Sequence, residues 1–291
     1  MTAVVESTPA GVGHDRPEFW IIRTLAAKEL RGALRDRWLW MYSAAFAVLA
    51  GALSTLAVAD RDALGVSGFG RTASSLVALV QLVVPLMGLT IGARSIAGQR
   101  ERGTLAFLLA HPVSPTEAYL GLLVGNVAAM AGAVAGGFGV AGLLAAARGA
   151  AVDGLDLVLV AGLSWLLAVG MIGLGMALST LTNRSSTAMG AALVVWFVVV
   201  LLGNLGIMGS SVATGMSEAT LFTTATANPV EAFRLSAMTV LGGSLDVLGP
   251  VGTYAVDRFG DGVGWVTTAA LAAWAIVPPV VGGIVFRRRP L

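Results

Sequence analysis

Six long stretches of the chain contain no Asp, Glu, Lys or Arg, and they constrain its fold more than any other feature. They cover residues 38–59, 72–93, 118–147, 157–183, 185–217 and 262–286, and each is at least 22 residues long. A helix needs about 20 apolar residues to cross the roughly 30 Å hydrocarbon core of a bilayer. Since the stretches lack the period-2 alternation of barrel strands, helices are favoured. The sequence therefore predicts an all-α integral membrane protein with six transmembrane helices.

The composition excludes several classes of function. Only 12% of the residues are charged and 56% are hydrophobic, whereas about a quarter are charged in an ordinary soluble domain. Cysteine is absent, so thiolate metal sites, disulfides and cysteine nucleophiles are excluded. The one lysine, Lys28, does not follow the glycine spacing of a phosphate-binding loop. We therefore expect no bound cofactor and no catalysis by this chain, and its net charge of +2 does not indicate a nucleic-acid partner.

The distribution of basic residues predicts the orientation. With both termini inside, the inner segments contain thirteen Lys and Arg and the outer segments five. The positive-inside rule then places both termini in the cytoplasm. We expect the chain to lie in the inner (plasma) membrane of the cell. Arg287, Arg288 and Arg289 are typical of an anchor on anionic membrane lipid.

These patterns give a set of predicted boundaries. Residues 1–17 form a flexible cytoplasmic tail, 18–37 an amphipathic interfacial helix, 38–286 the transmembrane domain and 287–291 a cytoplasmic tail. Within the domain, the predicted segments are spans at about 38–59, 72–93, 118–147, 157–182, 186–208 and 264–286, a cytoplasmic loop at 94–117 and a periplasmic loop at 209–262.

Three segments carry the start signal of a helix, a capping side chain three residues before a Glu with Pro in the first turn. They begin at Asp15, Ser114 and Asn228. The first opens the helix at about Glu18, whose apolar residues recur at three- and four-residue steps, as in a helix lying at the membrane surface. These apolar residues are Phe19, Ile22, Leu25, Ala26, Leu30 and Leu34.

The loop 94–117 contains a dense polar cluster, Gln99 to Arg102, followed by Gly103-Thr104 and a short apolar helix that stops at Pro112. One interpretation is a helical hairpin with charges at its tip and an apolar side that docks elsewhere. The other is a solvated loop. The residues alone leave both open.

The outer segment contains a predicted helix from Asn228 to about Leu241, in which Glu231 and Arg234 can pair across three residues. It either re-enters the outer leaflet or binds an external partner. Three polar residues at membrane depth are predicted to bond across helices rather than line a substrate path: Gln81, Asn126 and Asn204.

With this pattern the chain resembles the ABC-2, or type V exporter-like, transporter permeases, which have an N-terminal amphipathic elbow helix and six spans. The resemblance includes the Glu101–Leu105 segment, Glu-Arg-Gly-Thr-Leu, after the second span. It implies a homodimer in which this segment couples to a separate cytoplasmic ATPase that uses ATP and Mg. The implied ATPase-coupling residues are Gln99, Arg100, Glu101, Arg102, Gly103, Thr104 and Leu105.

Within this class the chain is similar to the NosY family, permeases of the complex that helps mature the copper sites of nitrous-oxide reductase. The similarity lies in Val84–Gly92, Ser95–Leu105 and two outer stretches that begin at Asn228 and Leu245. Gln99 stands where Glu is commoner in coupling segments, which removes one charge. The resemblance implies a NosF-like ATPase inside and a NosD-like copper-handling partner outside, which would contact Asn228, Glu231, Arg234 and Asp246.

Two other functions remain open from the sequence. One is an ABC-2 exporter of a small or lipid-linked molecule with the same ATPase coupling. The other is an intramembrane enzyme, which would need ionisable residues at membrane depth, whereas the six stretches contain none and neither His14 nor His111 lies in them. Met residues occur in the stretches, but Met in apolar helices usually serves packing rather than a copper path.

Overall fold

The computed structural model describes residues 19–35, scattered residues between 37 and 51, and residues 69–147, 154–203, 217–243, 245 and 250–289. Most of the predicted first span at 38–59, the helix start at Asp15, and the predicted site residues Asn204 and Asp246 lie outside them. Within the described residues the regular structure is entirely helical.

Ten α-helices can be numbered in chain order within the described residues. They are α1 (Phe19–Arg35), α2 (Phe69–Glu101), α3 (Thr104–Leu109), α4 (Pro115–Ala147), α5 (Gly154–Leu181), α6 (Ser185–Trp196), α7 (Glu218–Ala227), α8 (Pro229–Val240), α9 (Pro250–Phe259) and α10 (Val263–Arg288). A π-helical turn, Phe197–Leu202, continues α6, and a 3₁₀ turn, Gly260–Gly262, joins α9 to α10.

Four helical segments of the described chain are long and apolar enough to cross a membrane. They are Val77–Glu101, Pro115–Leu144, Gly154–Leu181 and Val251–Arg288, and Ser185–Leu201 is a shorter apolar helix. These segments correspond to the second through sixth predicted spans. The count of six stays a prediction, because the first predicted span lies largely outside the described residues. The all-helical membrane fold is confirmed.

The helix of the second predicted span continues about two turns beyond the charge-free residues. Charge-free residues stop at position 93, but α2 continues without interruption to Glu101. The charges begin where the helix emerges at one end of the bundle, and they do not end the helix because Arg, Gln and Glu are good helix formers. The polar cluster at 99–101 is thus the last turn of a span and not a loop.

Helix α5 lies at the centre, packed between α2 and α10. At the contact with α2, Gly92 and Gly175 face each other with backbone against backbone. A Cβ atom on Gly92 would overlap the carbonyl oxygen of Ile172 and would lie 2.9 Å from the amide nitrogen of Met176. Since lipid offers helices no hydrophobic drive to associate, close backbone approach and van der Waals packing hold such pairs together.

Helix α1 packs against the first half of α4 in the same way. A Cβ atom on Gly125 would lie 2.9 Å from the carbonyl oxygen of Ala26, and one on Gly121 would overlap the Leu25 side chain. Leu25, Ala26 and Leu30 of the predicted apolar face are turned toward the protein, but Phe19 and Leu34 are exposed. Ile21 is also buried, so the apolar residues of α1 divide into some that meet the protein and some that stay exposed.

The charged residues after the spans collect at one end of the bundle, which we call the arginine-rich end (Arg94, Arg100, Arg102, Arg184 and Arg287–Arg289). Helices α2, α5 and α10 end there, and α4 and α6 begin there. The opposite end carries α7, α8 and α9, of which α8 packs against α2, α5 and α10.

The α2–α5 contact gives the first prediction. Replacing Gly175 with Ala adds a Cβ that would overlap the Leu89 carbonyl, so we expect a loss of about 1–3 kcal/mol, typical of overpacking. Gly162→Ala is the matched control on the same helix, because its added Cβ would meet nothing within 4 Å. The measurement is thermal unfolding of the purified protein in detergent. Equal melting temperatures for the two variants would contradict this account of the packing.

Candidate functional site

The predicted coupling segment forms a tight corner between α2 and α3 at the arginine-rich end. Gly103 takes a left-handed conformation with φ of 70°, which a glycine adopts without strain. The Thr104 hydroxyl donates to the Gln99 carbonyl at 3.1 Å and closes the corner. Leu105 is 1% exposed and belongs to the main hydrophobic core. The hairpin with a docked apolar side, one of the two interpretations of the sequence, is therefore the one the structure adopts.

The last turn of α2 reaches three different elements through three consecutive side chains. Gln99 donates through Nε2 to Oε1 of Glu29 on α1, at 3.0 Å. Arg100 donates to the carbonyl of Thr182, at 2.9 Å, just after α5. Glu101 accepts through Oε2 from the amide of Ser185, at 3.1 Å, at the first residue of α6. The sequence predicted all three as contacts of an ATPase, and the structure has each of them bonded within the chain.

The two charges complement the ends of two helices. Arg100 lies at the carboxyl end of α5, where unpaired carbonyls carry partial negative charge, and Glu101 lies at the amino end of α6, where unpaired amides carry partial positive charge. A suitable charge at an exposed helix end stabilises it by about 0.3–1 kcal/mol. Arg184, the residue before α6, supplies no side-chain cap, so Glu101 takes that role from another helix. The pair thus holds the α5–α6 turn to α2.

A second group of bonds fixes the end of α2 to α5. The Ser179 hydroxyl donates to the carbonyl of Ala93, at 2.6 Å, and accepts from the amide of Ala97, at 2.7 Å. On the side toward α4, Asn126 donates to the Ser95 hydroxyl at 3.0 Å, which confirms its predicted bond across helices. Both contacts are buried or nearly so. The helix that carries the candidate site is thus held by polar bonds as well as by glycine packing.

The surface left for a partner consists of the corner and the outer side of α3. Arg102, Gly103 and Thr104 are exposed, and Phe107 is 71% exposed. The Phe107 ring packs edge-on against the His111 ring with centroids 4.8 Å apart. Phe107 was not predicted as a surface residue, because an apolar residue in a short apolar helix is expected on the docked side. We call Arg102, Gly103, Thr104 and Phe107 the corner surface.

Helix α4 begins with the predicted capping box. The Ser114 hydroxyl accepts from the amide of Glu117 at 3.2 Å, and Glu117 Oε2 accepts from the amide of Ser114 at 2.7 Å. This reciprocal pair ends the connection from α3 and sets where α4 starts. The corner surface is therefore bounded on both sides by fixed helices.

At the opposite end, Asn228 joins α6 to α8. Its Oδ1 accepts from the amide of Val230 at 2.9 Å, which caps α8, and its Nδ2 donates to the carbonyl of Val199 at 2.8 Å. Val199 lies in the π-helical turn after α6. Gln81 donates from α2 to the carbonyl of Val230 at 3.3 Å, the bond across helices that the sequence predicted for it.

The capping box predicted at Asn228 forms only in part. Glu231 does not complete the box but faces Arg234, whose NH1 is 3.6 Å from Oε2, so the predicted pairing of the two residues is confirmed. Glu231 is only 7% exposed. Burial raises the pKa of its carboxyl group above the ordinary value, while the Arg234 charge acts in the opposite direction. Of this pair, Arg234 is the one that a partner can reach.

Helices α7 and α9 close the opposite end over a small second core. The Phe222 ring lies 5.3 Å from the Phe259 ring and 5.8 Å from the Tyr254 ring, measured between centroids. This cluster is separate from the main core. It gives α7, α8 and α9 a framework of their own beside the spans.

Comparison with known proteins gives consistent matches over nearly the whole chain. Residues 23–291 match the model of the ABC-2 family transporter proteins. A protein of Stutzerimonas stutzeri named probable ABC transporter permease protein NosY is 32% identical over 277 residues, which is 91% of this chain and 97% of that protein. Its namesake in Pseudomonas aeruginosa is 31% identical over 278 residues, 93% of this chain and 99% of that protein.

The buried carboxyl group of Glu231 gives a pH prediction. Because its pKa is raised in the folded protein, the folded state binds the proton more tightly, and this contribution to stability is lost as the pH rises above the ordinary value of 4.5. We expect the melting temperature of the wild type to fall with rising pH relative to Glu231→Gln, which cannot ionise. Thermal unfolding across a pH series measures this, and parallel curves would contradict it.

Proposed function

This chain belongs to the ABC-2 family of transporter proteins and is a multi-pass ABC transporter permease, and from that premise we propose that it couples ATP hydrolysis by a separate subunit to a change at its opposite end. The arginine-rich end faces the cytoplasm and a NosF-like ATPase docks there. The ATPase uses ATP and Mg, and the permease binds neither. Two copies of the chain form the working unit, as the family resemblance implies.

The observation that carries this proposal is the corner surface. It combines an exposed arginine, Arg102, with an exposed aromatic ring, Phe107, on a turn that is closed by the hydrogen bond from Thr104 to the Gln99 carbonyl. Aromatic residues and Arg are the side chains that most often dominate protein interfaces. A rigid corner of this kind transmits a push from a docked subunit rather than absorbing it, because Leu105 and Thr104 tie it to α2 and the core.

At the opposite end we propose a NosD-like copper-handling partner that takes part in nitrous-oxide reductase maturation. Two observations support this. The similarity to the two proteins named NosY extends over more than nine-tenths of the chain, and α8 begins at Asn228 and presents Arg234 at its surface. Reshaping of the partner's site by helix movement is the mechanism that fits a permease without cysteine. Nothing need cross the membrane for this.

The coupling role predicts the effect of removing the corner charges. The double variant Glu101→Ala with Arg102→Ala should lose most of the stimulation of its ATPase while inserting into the membrane normally, because it loses the α6 cap and the exposed guanidinium together. ATP hydrolysis by the co-purified complex in proteoliposomes measures this. Arg258→Ala, an exposed arginine at the opposite end, is the control and should hydrolyse ATP as the wild type does. Full activity of the double variant would overturn the coupling role.

The partner role predicts a separate effect at α8. Because Glu231 is buried and Arg234 is the accessible member of the pair, exchanging the two charges should weaken capture of the external partner several-fold. Arg234→Ala should have the same direction of effect. Co-purification with the tagged product of a neighbouring gene is the measurement, with Arg184→Ala at the arginine-rich end as control. Unchanged capture by both variants would count against this surface.

A further inference from the structure

Helix α6 and the π-helical turn that continues it are bonded at both ends to a residue of a predicted site. At the arginine-rich end, the amide of Ser185 donates to Glu101 at 3.1 Å. At the opposite end, the carbonyl of Val199 accepts from Asn228 at 2.8 Å. Fourteen residues separate the two bonded groups, which corresponds to about 21 Å of helix. One helical segment therefore connects the corner between α2 and α3 to Asn228, the cap of α8.

The packing of α6 differs from that of the other spans. Its buried residues between Ser185 and Trp196 are Ala188 and Ala192, two small side chains one turn apart on the face toward α2. The other face is exposed at Leu193, Val194 and Phe197. Helices α2 and α5 are held by overlapping glycines and the Ser179 bonds, whereas α6 is bonded to α2 near its two ends, at Ser185 and at Trp196, whose Nε1 donates to the Leu82 carbonyl at 3.0 Å.

The π-helical turn at Phe197–Leu202 explains how the outer bond arises. A π turn widens the helix and changes its backbone hydrogen bonding, and such turns are frequent at functional sites. In this turn the Val199 carbonyl is available to the Asn228 amide. Gly203 accommodates that side chain, since a Cβ at this position would overlap Asn228 Nδ2. Asn228 uses its other atom, Oδ1, to cap α8, so a movement of the π turn acts on the first turn of α8.

We propose that α6 is the element that links the two ends of this permease, with Glu101 and Asn228 as the positioning residues at its ends. The α2–α5 pair is the frame, and α6 carries a movement of the last turn of α2, to which Glu101 bonds it, to the first turn of α8. Glu101 acts through the first turn of α6 rather than by touching the ATPase, whereas the corner surface receives the ATPase. The movement that the proposed function requires passes through this link. The link rests on the proposed function only for its energy, which ATP hydrolysis supplies.

The link predicts that a change at either end of α6 alters hydrogen exchange at the other end, and that the permease shows these reciprocal effects without any partner. Glu101→Ala should speed hydrogen exchange about two- to fivefold at the first amides of α6, the range expected from losing a charge at a helix end. It should also speed exchange at Val230 and its neighbours, although no atom near them changes. Because coupling between two sites is reciprocal, Asn228→Ala should speed exchange at Ser185–Met189. Glu101→Gln keeps an acceptor oxygen and should restore part of the protection at both ends.

The experiment is hydrogen exchange followed by mass spectrometry on the full chain in lipid nanodiscs. Arg102→Ala is the matched control, because Arg102 is the exposed neighbour of Glu101 and should leave both ends of α6 unchanged. Effects confined to the mutated end, in both directions, would overturn the link. If Glu101→Ala fails to fold, Asn228→Ala tests the link by itself, through hydrogen exchange at the inner end of α6.

A separate assay distinguishes failure of the link from failure of the proposed function. In one outcome, Glu101→Ala leaves hydrogen exchange at the outer end of α6 unchanged, while the double variant Glu101→Ala with Arg102→Ala still loses the stimulation of its ATPase. The proposed function then stands and the link is wrong. If the exchange effects are reciprocal but no ATPase is stimulated by any form of the chain, the link stands and the proposed function is wrong.

Discussion

The structure depends first on how closely α2 and α5 approach each other. Gly92 and Gly175 remove the side chains that would keep the two backbones apart, and Ser179 then reaches the backbone of α2 at Ala93 and Ala97. A hydroxyl group is short, so these bonds form only at this separation. The glycines and the serine therefore act together, and they fix the position of the last turn of α2, which leads into the corner surface.

Charge at helix ends then determines what the corner is connected to. Two adjacent residues of opposite sign, Arg100 and Glu101, meet the end of one helix and the start of the next. This arrangement works because the α5–α6 turn brings a carboxyl end and an amino end to the same place. Exchanging the two residues would set each charge against the wrong helix end. Their order in the sequence is thus tied to the direction in which α5 and α6 run.

The sequence predicted the elements well and their partners poorly. The charge-free stretches gave the apolar helices, and the signals at Ser114 and at Glu231–Arg234 gave a cap and an ion pair that the structure confirms. The role of Glu101 was not predictable, because Ser185 lies 84 residues away along the chain and nothing local marks it as a partner. The sequence also did not predict that α2 continues eight residues past the last charge-free position, since charge-free length measures the hydrocarbon and not the helix.

The face of α1 that meets α4 could not be predicted from the sequence either. Periodicity identified an amphipathic helix, but periodicity alone cannot say which residues meet protein and which meet lipid, since both environments are apolar. Gly121 and Gly125 on α4 decide that, and their effect on α1 becomes visible only once both helices are in place.

The glycine contact between α2 and α5 also has a consequence for biogenesis. Gly92 and Gly175 are separated in the chain by α3 and α4, so α2 leaves the ribosome well before its partner exists. At the usual synthesis rate of about 5–20 residues per second, the delay is on the order of 4–17 s. During that time the small-residue face of α2 borders lipid or the insertion machinery. The α2–α5 contact of this permease therefore cannot form until α5 has been inserted.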